Sequence, residues 1–152
     1  MAELKYEKYI VKGSSNMPMV KSGRSGFKFD PKVERPKLHH LMSLTPGSVE
    51  GSIIVICQWV WAEEQPGVQG AHTHPYDEII GFVGTNPKDP DDLGGVAELW
   101  LENEQYFIDK TFLVYVPRNM KHCPLTIRDI KSPILHFSIQ VTRGEMREFA
   151  AG

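Results

Sequence analysis

The run His72-Thr73-His74-Pro75-Tyr76-Asp77-Glu78 gathers two imidazoles and a carboxylate in one short stretch. On an extended chain alternate side chains share a face, so His72 and His74 aim their rings the same way. Pro75-Tyr76-Asp77 reads as a turn, and Glu78 opens a second strand, Glu78-Ile79-Ile80-Gly81-Phe82-Val83. If the two strands pair, Glu78 stands beside the rings. Imidazole nitrogen and carboxylate oxygen are the donors that divalent transition metals take. Pro117-Arg118-Asn119-Met120-Lys121-His122 offers a fourth ligand, His122. Against this stands the reading of His72 and His74 as ordinary surface histidines of a metal-free domain.

These four residues carry a resemblance. His72, His74, Glu78 and Gly84 match the first motif of the cupins in type and spacing, and Pro117 and His122 match the second. The chain departs from the pattern at a few positions. The first motif's leading glycine falls on Pro66, with Gly67 one place late. The second motif's glycines are replaced by Thr111 and Asn119, and its closing Asn is Thr126. Asn119 is a mild change, because Asn tolerates the left-handed turn conformation. The resemblance runs from about Ile53 to Val141. It implies an all-β, cupin-type double-stranded β-helix, a jelly-roll barrel, with an extended N-terminal arm. It also implies a homodimer, since small cupins lend such an arm to a partner's sheet. The expected division is 1–51 for the arm and edge strands, 52–143 for the barrel and 144–152 for the tail.

The 152 residues suit one domain, and 41% hydrophobic with 24% charged residues is an ordinary globular balance. A formal net charge of -2 argues against nucleic acid, which wants a basic stripe. No apolar run reaches membrane-spanning length, and no apolar leader follows Met1, so a cytoplasmic location is expected. Cys57 and Cys123 suit a reduced compartment.

The elements that must position the site follow in chain order. Tyr6 to Val11 is expected as a short strand. Gly13 to Gly26 reads as loop. The basic residues Lys12, Lys21, Arg24 and Lys28 mark a solvated arm or a phosphate contact. Leu38 to Met42 is a strand whose adjacent His39 and His40 face opposite ways, so both cannot serve one site. Ser52 to Trp61 reads as a strand buried on both faces, with Gln58 either a pocket polar group or a core amide. Thr85 to Gly95 reads as a long polar loop that can cover a barrel mouth; its aspartates lack the spacing of a calcium loop. Val96 to Leu101 alternates, with Trp100 facing a partner or partly exposed. Gln105 to Ile108, Phe112 to Val116, His122 to Arg128 and Ile134 to Val141 complete the strands, and Arg143 to Phe149 suits a short helix.

Two residue readings bear on chemistry. Cys123 follows His122 and points away from it on a continuing strand, which makes it a core thiol and not a ligand. His136 shares the polar face of its strand with Ser138 and Gln140, and is either a pocket acid or base or a surface residue. Tyr76 and Arg118 adjoin the ligand turns and touch substrate or serve the turns alone. One divalent transition metal ion (Fe, Mn, Ni, Co, Zn or Cu) on His72, His74, Glu78 and His122 would keep positions for a small oxygen-bearing molecule. The expected function is a metal-dependent cupin enzyme, with dioxygenation one reaction open to it and His136 as the catalytic residue. The runner-up is a non-catalytic binding or sensing module that grips a small ligand through the metal; a metal-free structural cupin is the third.

Overall fold

The computed structural model describes residues 5–10, 12, 38–61 and 70–142, with the side chains of residues 38–40 left out. The expected arm over 13–37, Pro66 and Gly67, and the expected helix over 143–149 lie outside the described residues. Eight strands are described: β1 Leu38–Leu44, β2 Ile54–Val60, β3 Glu78–Val83, β4 Asp92–Leu101, β5 Glu104–Lys110, β6 Phe112–Val116, β7 His122–Arg128 and β8 Ile134–Gln140. They form two antiparallel sheets, one of five strands in the order β1-β2-β8-β3-β6 and one of three in the order β5-β4-β7. No helix among the described residues is long and apolar enough to cross a membrane.

The two sheets close on one core. Val60, Ile80, Phe82, Val116 and Ile134 from the larger sheet meet Leu93, Ala97 and Ile127 from the smaller. The alternation of β4 is as the sequence predicts: Ala97 and Leu99 are fully buried, while Glu98 and Trp100 are partly exposed. β2, in contrast, is half-buried along most of its length and not buried on both faces. Both its faces are half-buried up to Val60, and Trp61 just past its end is 45% exposed.

Three expected elements are corrected. Glu7–Tyr9 is a 3-10 turn and not part of a strand, because the N–H groups of Tyr9 and Ile10 donate to the carbonyls of Tyr6 and Glu7. His72 and His74 do not share a strand: His72 makes only an isolated bridge to His122, and β3 pairs with β6 and β8. The polar run expected as loop to Gly95 ends earlier, since β4 begins at Asp92. Its glycines are there for close packing. Gly94 sits at φ +74, and a side-chain carbon on Gly95 would lie 3.0 Å from the Arg128 carbonyl oxygen.

Candidate metal centre

The larger sheet builds the floor of the site in rows. Residues directly opposite in neighbouring strands point to the same side. Ile54, Gln140, Glu78 and Val116 form one row across β2, β8, β3 and β6. Ile56, Ser138, Ile80 and Val114 form the next, and Gln58, His136, Phe82 and Phe112 the third. Since Ile80, Phe82 and Val116 are core residues, these rows face inward. Glu78 is thereby carried into the barrel at the start of its strand, 6% exposed.

The histidines arrive from the other side. The backbones of His72 and His122 exchange two hydrogen bonds of 3.0 Å, which brings the chain before β3 against the start of β7. The amide of Asn119 donates to the His74 carbonyl at 2.8 Å, and Asn119 holds φ +67, the left-handed turn its residue type permits. Asp77 fixes the same junction from below, accepting the Arg118 amide at 2.9 Å and pairing with its guanidinium at 3.4 Å. Arg118 thus serves the turn. Tyr76 is buried and stacks on the His74 ring at 4.2 Å, holding the imidazole in one plane.

His72, His74 and His122 place one ring nitrogen each within 4.8 Å of one another, a spacing that can hold a metal ion. Each ring spends its Nδ1 on a backbone carbonyl: His72 on Gly70 at 2.8 Å, His74 on Tyr76 at 2.7 Å and His122 on Met120 at 3.0 Å. A carbonyl only accepts, so the Nδ1 of each carries the proton and a neutral ring keeps its lone pair on Nε2. That is the arrangement in which a ligand histidine is oriented by its outer hydrogen bond. The Nε2 atoms of His74 and His122 lie 2.9 and 3.1 Å from one Glu78 oxygen, Oε2. Ser138 donates to the other, Oε1, at 2.5 Å.

The charges agree with this geometry. Burial alone would raise the Glu78 carboxyl, but the Ser138 hydroxyl and, in their protonated form, the Nε2–H groups of His122 and His74 donate to it, outweigh burial and leave the group well below the usual carboxylate range; a divalent ion on the neutral rings would take the place of those ring protons. Burial likewise pushes His122 down, and its bond to Glu78 reverses the sign and leaves the ring above its ordinary value. His72, more open and facing the other imidazoles, is lowered by burial. Three imidazoles with backbone-fixed tautomers are a donor set that could hold a divalent transition metal, and the ionised Glu78 carboxylate lies against two of them.

The outcome for the remaining sequence candidates is mixed. Gln58 and His136 are opposite each other on the inward third row. The His136 ring stacks on Phe82 at 4.2 Å and its Nδ1 donates to the Gly81 carbonyl at 3.0 Å, while burial brings the ring down to about 4. It is a half-buried, neutral imidazole on the inward face, not a surface residue. Cys123 is 6% exposed and its thiol is pushed up to about 12 by burial, so it is a core thiol as expected, although φ +69 breaks the strand alternation there. Trp100 is partly exposed and lines a cavity of about 250 Å³ with Ala71, Lys121 and Pro124. His39 and His40 stand on β1 in register with Trp59 and Gln58. Ser138 was missed as a partner of Glu78. Its only signal was a shared face with His136, on a face that reads as polar and therefore as outward.

The two sheets and the inward His-x-His, Glu and His set decide the architecture. The chain is an all-β, two-sheet barrel of the jelly-roll kind that its cupin resemblance implies. Solved cupins resemble it at low identity. A cupin protein from Bacteroides fragilis aligns over 81% of this chain and 92% of its own, with 17% identity and a TM-score of 0.45. An RmlC-like cupin from Shewanella frigidimarina aligns over 88% and 96%, with 10% identity and a TM-score of 0.43. KdgF from Halomonas sp. aligns over 70% and 81%, with 15% identity and a TM-score of 0.42. No protein-family model and no curated protein matches the chain.

Proposed function

We propose that this cupin is a metal-dependent enzyme that acts on a small oxygen-bearing substrate, with His72, His74, Glu78 and His122 as the ligands of one divalent ion. The observation that carries the reading is the set of three Nδ1 bonds to backbone carbonyls, which leaves the opposite nitrogens of the imidazoles as lone-pair donors around Glu78. A bound ion would polarise substrate oxygens and so assist oxidation, isomerisation or elimination. The residues of the chain do the rest. Glu78 supplies the negative charge, and Ser138 holds its second oxygen away from the rings. Ile80, Val116 and Phe82 keep the wall behind it dry, where electrostatic contacts are strengthened. His136, kept neutral by burial, would meet the substrate with the lone pair of its Nε2, as a hydrogen-bond acceptor.

One observation favours the runner-up, a binding or sensing cupin: the Nδ1 of His136 is already engaged by Gly81 and its ring is packed on Phe82. The two readings part on a single comparison. Hydroxy-ketones, catechols and 2-oxo acids should raise the melting temperature of metal-loaded protein more than that of stripped protein. For an enzyme, His136→Ala then loses turnover and keeps that thermal shift. A binder shows no turnover in either form, and equal shifts with and without metal defeat both readings.

A further inference from the structure

The third inward row of the larger sheet ends in a polar pair that the metal centre does not use. Phe112, Phe82 and His136 form a ladder of stacked rings, with centroids 5.4 and 4.2 Å apart. Gln58 stands opposite His136 on β2 and continues that row. Residues directly opposite in an antiparallel pair have Cβ atoms about 5 Å apart, so the Gln58 amide and the His136 ring are neighbours. The Gln58 amide has no hydrogen-bond partner among the described residues, and unlike the sealed hydroxyls of Ser43, Thr45, Ser52 and Thr142 it keeps accessible surface. The His136 ring is also half-buried. Its Nδ1 donates to the Gly81 carbonyl at 3.0 Å, which leaves Nε2 as an unengaged lone pair.

The pair lies close to the metal centre. Ser138 donates to Glu78 Oε1 at 2.5 Å, so the carboxylate leans over the second row. His136 is the next inward residue of β8, two positions and about 7 Å beyond Ser138. The charge of Glu78 is felt at the His136 ring. Between them the second row offers Ile56, Ile80 and Val114, with Ser138 spent on Glu78.

A lone pair and an amide side by side define the group that fits. A hydroxyl donates to Nε2 and accepts from the amide N–H at the same time. A carboxylate finds no cation on these rows, and an ammonium leaves the amide N–H without an acceptor.

We propose that Gln58 and His136 clamp a terminal, uncharged hydroxyl of a substrate whose other end chelates the metal ion, with an apolar run of about four or five carbons between the two ends lying on Ile56, Ile80 and Val114. The clamp rests on the metal reading above, and it selects the substrate by length and by the polarity of its far end.

The test compares pentanohydroxamate with 5-hydroxypentanohydroxamate by calorimetric titration into zinc-loaded protein. The two share the chelating end and differ only in the terminal hydroxyl. The full chain should bind the hydroxylated probe about tenfold more tightly, as two added hydrogen bonds give. The 5-methoxy analogue, which cannot donate, should lose that gain. Gln58→Met keeps the length of the side chain without its amide, and His136→Phe keeps the ring stack. Each variant should bind the two hydroxamates within about threefold of one another. A full chain without the preference, a methoxy probe that retains it, or a preference undiminished in Gln58→Met overturns the proposal. The zinc content of the same samples separates the failures. Protein that holds zinc and binds both probes alike sinks the clamp and leaves the metal reading standing, whereas protein that holds no zinc sinks both.

Discussion

At the scale of residues, the convergence of the three histidines and Glu78 was readable and one orientation was not. Histidines at 72 and 74, Glu78 at the right offset and a distant His122 announce converging donors through type and spacing alone. Asn119 kept the turn because its side chain tolerates positive φ, and φ +67 is what the chain adopts. His136 shows the limit. Alternation put it with Ser138 and Gln140 but could not say which face is inward, because their polarity argued for solvent. The polar face is inward because Glu78 needs donors there and Ser138 is one. The position has a measurable consequence. Burial holds His136 at about 4 against an ordinary 6.5, so between those values an unfolded chain binds a proton that the folded chain refuses. The stability present above pH 6.5 therefore drains as pH falls toward 4, by as much as about 3 kcal/mol. Urea unfolding at pH 7 and pH 4.5 should show His136→Gln losing about 2 kcal/mol less than the parent chain between the two conditions. Equal losses would place the ring in water.

At the scale of elements, strands bounded by turn residues were read to the residue, as with Phe112–Val116 and His122–Arg128. The misread stretch, Asp92 to Gly95, is rich in Asp and Gly for reasons that sequence shows only as loop. The Gly94 amide donates to the Asp92 side chain at 2.9 Å, and the register of β4 against β5 shifts before Ala97. Pairing partners were also out of reach. β8 lies between β2 and β3 although it comes last, and a sequence pattern carries no record of such long-range register. The closing glycine of the first motif now has a physical cause. A side-chain carbon on Gly84 would lie 1.9 Å from the Asp92 carbonyl oxygen, while Thr111, which replaces a motif glycine, accepts the Gly84 amide at 3.1 Å. Gly84→Ala should therefore cost about 2 kcal/mol in denaturant unfolding, because backbone must move. A cost near zero would mean that the β3–β4 connection does not run where it is described.

At the scale of the molecule, the fold was legible because the motif residues and the many short strands agree. Assembly was expected from the resemblance, and the proposal of a homodimer stands with support from β6. That strand is an edge of the larger sheet, and its Leu113 and Tyr115 are 68% and 61% exposed. Light scattering at micromolar concentration should give twice the mass of one chain, and Leu113→Lys should lower it; a monomer under the same conditions removes the proposal. The chemistry of the whole hangs on the proposed four-ligand centre. Elemental analysis of protein purified without an affinity tag reads it most directly. The account predicts about one divalent transition metal ion per chain and, in His74→Ala, loss of most of it while circular dichroism still reports a β domain. Full metal occupancy in a folded His74→Ala chain would contradict it.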